Sequence, residues 1–542
     1  MRMRLLAGML FFALAIGAAV CFGSTQAAEL PKVEALRPIE EIWAMEDARS
    51  QAKGSLVTRI FSNGAALGLD AETGSYYCPI PLDCTSWPEL TLTAPDNPDV
   101  RMCFADDYLY DSPQTAMADG TPYQVFCWTD TEFSYFSVIF TGMAQISLHA
   151  EQEIVQDDDV PAQIDLGDGR TGISHYGRVH YRGGVTSASP KHSYRVEFTK
   201  KASGKKKIDM DVPGMGVVSN LVLLPMVYDD TLMRDRLSWD LYAKLNPDGT
   251  AFGPRKLQYA ELFVNDEYLG VYLMLEPYAY KQEVEKAGSI HPGTDYVYRV
   301  SPENADRYQW TEGTYLPERG FRLMYAPGGA ADPFAGLSVY RRLCALTDDA
   351  EYASAVERHV DTASMLRMLM LVQMGGMTDN IFNNLGVWAD NGSGDTVYHF
   401  YPWDMDQTWG ERPNRIGLDF DYWMYFPTCD RLIQMDADGM RSRVYSLWQS
   451  LRQEIFTHDT FDALTTQYAH ELNDSGAMQR NGVCWGNEHY IADPQGILDY
   501  CDVRLQVLDE TFAYIAEEDG PIGFLDYDDY GNKSRQIRYG AE

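Results

Sequence analysis

The chain has 542 residues, 45% of them hydrophobic, enough to bury a substantial core and hold two or more domains. Its 79 acidic residues against 44 basic ones leave a formal charge of -35. Such an excess disfavours nucleic acid and anionic membrane surfaces, whose phosphates need clustered Lys and Arg, and suits solubility outside a cell or a basic protein partner. Any phosphate-binding pocket must then be a local positive island, which makes individual Lys and Arg residues informative.

Residues 1–28 read as a secretory signal, with Arg2 and Arg4 as the basic start, an apolar run over 5–20, and Thr25-Gln26-Ala27-Ala28 as a small-residue cleavage site. Cys21 offers a lipoprotein alternative, against which Val20 is too bulky for a typical lipidation motif. No later apolar stretch of about 18 residues occurs, so no second membrane span is expected. Cleavage removes Cys21 and leaves an even number of cysteines, which in an exported chain favours disulfides. Cys78, Cys84, Cys103 and Cys127 lie early and Cys344, Cys429, Cys484 and Cys501 late, so pairing within each half is expected. None sits in a CxxC motif, and a zinc site is not expected.

Residues 29–155 predict a small β-rich domain. After a helical stretch over 39–49 come short β-like runs at 56–61, 123–128 and 133–139, separated by Gly, Asn, Asp and Pro. Its aromatics suit core packing or a binding face. Asp157-Asp158-Asp159 followed by Val160-Pro161 reads as a linker into a second domain over 156–518. There, strands at 177–182 and 192–198 flank Gly183-Gly184-Val185-Thr186-Ser187, a small-residue turn whose backbone N–H groups could cover phosphates. It lacks the GKS or GKT of a P-loop, and an ordinary hairpin with solvent-facing basic residues is the alternative.

Asp229-Asp230-Thr231 caps a helix over 232–245, and strands at 259–264 and 268–275 form a hairpin that Glu276 and Pro277 terminate. A helix beginning near Asp361 is apolar nearly all round, through Met365, Leu366, Met368, Leu369 and Met370, and should be buried. Amphipathic helices follow at 441–457, 460–472 and 494–517, and residues 519–542 read as a polar, loosely held tail.

The chemistry concentrates in residues 377–410. Two short strands, 385–390 and 397–403, flank Asn391-Gly392-Ser393-Gly394, which is turn chemistry. Such a hairpin brings Asp379, Asn383 and Asn384 beside Asp404 and Asp406, an oxygen-donor set that suits Mg²⁺. Asp379 and Asn384 have the D-x-x-x-x-N spacing of a protein-kinase catalytic loop, with a second metal-binding Asp after a pair of strands. On residue chemistry alone the alternative is that Asp379 caps a turn while Asp404 and Asp406 cap a helix or bind Ca²⁺.

Five segments in this order resemble the spore coat protein H (CotH) family of kinase-like proteins: YRGGVTSASPKHSYRVEF (181–198), DDTLMRDRLSWDLY (229–242), YAELFVNDEYLGVYLMLEP (259–277), TDNIFNNLGVW (378–388) and FYPWDMDQTWG (400–410). The resemblance implies an α+β fold, a bilobal atypical protein-kinase-like domain preceded here by the small disulfide-containing β domain. It also implies ATP with Mg²⁺ or Mn²⁺ between the lobes and transfer of phosphate to Ser/Thr hydroxyls of a protein substrate. On this resemblance Asp379 is the catalytic base, and Asn384 and Asp404 are metal ligands with Asp406 as second candidate. Lys191 is the nucleotide-phosphate lysine, Arg182 and Gly183 belong to the phosphate-covering turn, and Glu276 lies near the adenine-side hinge. Two features depart from the pattern. Gly184 and Val185 follow Arg182-Gly183 where a polar residue and Ser/Thr are usual, and the helix over 232–245 offers Asp235 and Asp240 but no Glu for Lys191. A surface adhesion or assembly protein keeping the fold without catalysis is the second function the sequence fits, and a Ca²⁺-stabilised scaffold is the third.

Overall fold

The computed structural model describes residues 36–105, 112–156, 158–183, 188–202, 204–247, 252–281, 283, 294–300, 320–377, 380, 383–392, 394–410, 422–424, 426–486, 489–520, 522, 524–526 and 534–537. The signal expected over 1–28 and the base expected at Asp379 lie outside these residues.

A mixed sheet comes first, with Arg101–Ala105, Tyr123–Trp128, Glu132–Thr141, Ser75–Pro79 and Gly68–Asp70 side by side. Strand alternation gives it two apolar faces. Val125, Cys127, Val138 and Phe140 face one core, while Cys103, Phe126, Trp128 and Phe133 face another, covered by Ile42 of helix Ile39–Asp47. This geometry corrects the disulfide expectation: the eight cysteines among the described residues are free thiols. Met102 pairs with Cys127, so the neighbouring Cys103 points to the opposite face, and two sulfurs on opposite faces cannot bridge. Cys78 shares the Cys127 face but pairs with Phe140, whereas Cys127 pairs with Ser134, roughly 20 Å away along the strand. Burial pushes the Cys78 and Cys103 thiols up to about 12, so both act as small apolar groups.

A closed barrel follows. Its seven strands are β1 (Ala144–His149), β2 (Val160–Gly167), β3 (Gly172–Arg182), β4 (Ser193–Phe198), β5 (Asn220–Leu224), β6 (Leu257–Val264) and β7 (Glu267–Leu275), in spatial order β1-β2-β3-β4-β5-β7-β6. A parallel pairing of β1 with β6, from Ala144 with Ala260 to Leu148 with Val264, shuts it. Ile146, Leu148, Ile164, Val179, Val196, Leu221 and Leu262 fill the interior. Asp158 and Asp159, expected to link two domains, instead lie in the connection between β1 and β2 of this one barrel.

The remainder is largely helical. Helix α1 (Arg234–Leu245) begins where Asp229 accepts from the Arg234 backbone N–H at 2.7 Å, the capping role its sequence predicts. A four-stranded antiparallel sheet is built from β8 (Tyr296–Val300), β9 (Phe321–Tyr325), β10 (Leu385–Asp390) and β11 (Val397–Pro402), in order β9-β8-β10-β11. Against it packs α2 (Thr362–Gly375), capped by Asp361 and ended at Gly376 in the left-handed region (φ 60°). Its Met and Leu residues are core, as expected. Helices α3 (Met440–Glu454), α4 (His458–Asp474), α5 (Ala477–Trp485) and α6 (Gln495–Glu517) complete this body. The tail is less loose than its composition implies: Phe524–Asp526 and Ser534–Ile537 pair with each other, and the latter also pairs with Tyr422–Met424.

Arg480 of α5 joins all three parts. It donates to both carboxylate oxygens of the fully buried Glu261 on β6 (2.8 and 3.0 Å), to Thr141 Oγ1 of the first sheet (2.8 Å) and to Ser475 O (2.9 Å). The Tyr268 hydroxyl also donates to Glu261, and Tyr77 of the first sheet stacks on the Tyr268 ring. A buried ion pair satisfied this fully fixes geometry, and losing one partner would strand the other charge.

Candidate active site

The β10–β11 hairpin forms with Leu385 opposite Pro402, so Asn384, just before β10, and Trp403-Asp404, just after β11, stand at the same end of it. Both Asn384 (φ 54°) and Asp404 (φ 55°) occupy the left-handed region, which Asn and Asp tolerate best among residues with a Cβ. The Asn384 backbone N–H donates to Val300 O at 3.0 Å, anchoring it to the end of β8. Asn380, fully buried, donates from Nδ2 to Trp403 O (2.7 Å) and to Asp404 O (3.2 Å), tying the segment before β10 to the one after β11. Beyond the hairpin, burial alternates: Asp404 is exposed, Met405 fully buried, Asp406 half-buried. Met405 thus pins the strand while its acidic neighbours stay accessible.

Beneath this segment lies a residue that the sequence reading did not assign to the site. Asp235, in the first turn of α1, is 3% exposed, and its Oδ1 has no hydrogen-bond partner among the described residues. Burial, then the negative charges of Asp404 and Asp229, push its carboxyl up to about 8, against a hydrogen bond from the Met405 backbone amide. Asp235 and Asp404 thus lie close enough for their charges to oppose one another, an arrangement that a hard divalent ion would relieve. Among the described residues no group of three or more His, Cys, Asp or Glu is placed to hold a metal by itself. Oxygen donors from Asn384, Asp404 and Asp406 that leave coordination positions to water and phosphate are what Mg²⁺ takes.

Positive charge comes from the barrel and from the four-stranded sheet. The Arg182 guanidinium, at the end of β3, lies over the Trp403 ring at 5.8 Å. Burial lowers its pKa first; Asp404 opposes that shift, and Arg299 of β8 and Arg195 of β4 reinforce it. Gly183, the next residue, has φ 121°, a conformation open to glycine, and its carbonyl accepts from Gln156.

The Lys191 ammonium lies away from Asp404, and Glu276 stands at the end of β7. The Lys191 ammonium donates to Val271 O (2.7 Å) and to Asn481 Oδ1 of α5 (3.0 Å), with the Tyr272 and Trp485 rings at 4.9 and 5.9 Å. Burial lowers its pKa to about 7, with the Cys484 thiol opposing. It therefore meets α5, through Asn481. Glu276 follows β7 directly, its backbone N–H donating to Lys256 O at 2.9 Å, and its charge acts on Arg255 rather than on the Asp404 group. The structure thus gathers Arg182, Gly183, Asn384, Asp404 and Asp406 from barrel and hairpin, and adds Asp235, Arg195 and Arg299. Asp235 had a sequence signal, as the acid at the start of a helix otherwise rich in buried positions. Arg299 had none.

The barrel, the four-stranded sheet and the helices around them make this an α+β protein. The CotH kinase protein family matches residues 179–508, more than half of the chain, and the chain belongs to that family. Inner spore coat protein H of Bacillus subtilis (strain 168) is 24% identical over 390 residues, which cover 67% of this chain and 94% of that protein.

Proposed function

We propose that this protein is an exported CotH-like atypical protein kinase that transfers the γ-phosphate of ATP to Ser/Thr hydroxyls of a protein substrate with Mg²⁺ or Mn²⁺. The observation that carries the reading is Asn384 and Asp404 at one end of the β10–β11 hairpin, each in left-handed backbone, with Asn380 bonded to the Asp404 carbonyl and the charges of Arg182 and Asp235 acting on Asp404. A bound divalent ion would supply neutralisation of the phosphate chain. Asn384 and Asp404 would hold that ion, with Asp406 as a further candidate ligand, and Arg182 would offset charge on the phosphates. Asp379, five residues before Asn384, accepts the substrate hydroxyl proton. The segment at 1–28 and the coat-protein relative both support a place outside the cytoplasm, and no helix among the described residues is long and apolar enough to cross a membrane.

The test is phosphate incorporation by the mature chain with labelled ATP and Mg²⁺, then Mn²⁺, beside Asp404→Ala and Asp379→Ala. Incorporation that both substitutions abolish, with circular dichroism unchanged, supports the reading; none in the wild type under either ion removes it.

One observation favours the second reading, an assembly role. The first sheet carries a cleft of 540 Å³ lined by Arg37, Leu92, Arg101, Met102, Phe104 and Trp128, remote in the fold from Asp404. If this cleft binds a surface partner, Arg37→Glu with Arg101→Glu releases the partner and leaves phosphate incorporation intact.

A further inference from the structure

Arg299 and Arg322 are direct cross-strand partners on β8 and β9, a pairing of like charges that destabilises a sheet unless something anionic sits over it. Continuing along that row, Arg299 faces Gly386 and Gly386 faces Tyr401. Arg182 and Arg195 approach from the barrel strands β3 and β4, and all four guanidinium groups act on one phenol, Tyr280. Four other arginines each meet a carboxylate, Arg234 with Asp229, Arg236 with Glu471, Arg255 with Glu283 and Arg480 with Glu261, while the buried Arg441 is held by backbone carbonyls. Arg182, Arg299 and Arg322 have no carboxylate within ion-pair distance among the described residues, and the buried Nε of Arg299 has no hydrogen-bond partner there. Arg195 has only Glu197, which it shares with Lys207. In a chain with 79 acidic residues against 44 basic ones, three of these arginines without an acid among the described residues are suited to an external anion.

We propose that Arg182, Arg195, Arg299 and Arg322 form one oligophosphate cradle that spans the barrel and the four-stranded sheet. Forked guanidinium groups match phosphate oxygens two at a time, and four of them from two bodies suit a chain of phosphates better than a single carboxylate. Asp404, acting on Arg182 from the hairpin, marks the end at which a divalent ion would bridge to the same chain. Naming the nucleotide as the source of that chain rests on the phosphotransfer reading; the preference for oligophosphate does not. The cradle also assigns the phosphate grip to arginines while the Lys191 ammonium stays with Val271 and Asn481.

The experiment is calorimetric titration of the full mature chain with inorganic tripolyphosphate, in chelator and at fixed ionic strength, beside Arg299→Gln, Arg195→Gln and the surface variant Arg322→Gln. Binding at one site is expected, with Kd raised at least tenfold by Arg299→Gln and Arg195→Gln, about threefold by Arg322→Gln, and partly restored by Arg299→Lys. Adenosine binding should not move. No wild-type binding, binding no tighter than that of orthophosphate, or equal Kd in all variants would overturn the cradle. Tripolyphosphate binding that depends on Arg299, in a protein that incorporates no phosphate, upholds the cradle and removes the phosphotransfer reading. Phosphate incorporation with an ATP KM unmoved by Arg299→Gln does the reverse.

Discussion

Two groups of arginine occupy this acidic protein under opposite rules. At the junction of sheet, barrel and α5, Arg480 meets a buried carboxylate, a hydroxyl and a backbone carbonyl, and every contact is internal. Beside Asp404, Arg299 and Arg322 face one another with no acid between them among the described residues. The first arrangement is complete as folded and holds the parts together. The second is incomplete as folded. Arg480 and Arg299 are both half-buried and Arg322 is exposed, so burial alone does not separate the two sites; the presence of an internal counter-charge does.

That contrast breaks most visibly at Arg480. Arg480→Met strands Glu261 inside the barrel wall, and urea denaturation should show a loss of about 3–5 kcal/mol, with the first sheet loosening from the barrel. Asp235 sharpens the other side. Its carboxyl is raised from an ordinary 3.8 to about 8, so between those values the unfolded chain has released a proton that the native state keeps. The metal-free protein should therefore lose stability as pH rises from 4 to 8, on the order of 2–4 kcal/mol in total. Asp235→Asn, measured by melting in chelator across that range, should flatten the slope and raise stability at pH 8; an unchanged slope would remove the assignment.

A third variant tests the sheet under the arginines. A Cβ at Gly386 would come within 2.1 Å of the Tyr401 ring, so Gly386→Ala should cost about 1–3 kcal/mol by overpacking. The smallest effect belongs to Arg322→Gln, which removes half of a like-charge pair at an exposed position. Its stability should stay within about 0.5 kcal/mol of wild type, or rise slightly. The same kind of substitution, Arg to a neutral side chain, thus costs several kcal/mol at one site and almost nothing at the other.

The parts legible in the sequence were those set by neighbours along the chain. The turn Asn391-Gly392 fixed a hairpin whose observed strands, Leu385–Asp390 and Val397–Pro402, match the reading closely, which leaves Asn384 and Asp404 at the same hairpin end. The Asp361 cap and apolar run of α2, and the hairpin of β6 and β7, followed from the same local rules. What failed depended on register between distant segments. Cysteine number is visible in a sequence, but the face each sulfur occupies is not, and the 102–127 pairing put Cys103 and Cys127 back to back. Lys191 sat in a matching motif, yet its ammonium direction is decided by Asn481, almost three hundred positions later. Arg299 and Arg322 are ordinary strand residues until β8 and β9 are paired.

The closure of the barrel has a consequence for how the chain comes into being. β1 is shut by β6, more than a hundred residues downstream, in a parallel pairing that no short turn can nucleate. At synthesis rates of about 5–20 residues per second, the Ile146 and Leu148 edge waits roughly 6–20 s before its partner exists. During that interval β2 pairs with one edge of β1, while the other edge, which β6 takes, has no strand partner. A nascent chain halted before Leu257 would carry an open, apolar strand edge, the kind of edge that recruits other chains. Completion of this protein is therefore a late, all-or-none event, in which the last barrel strands to be made protect one of the first.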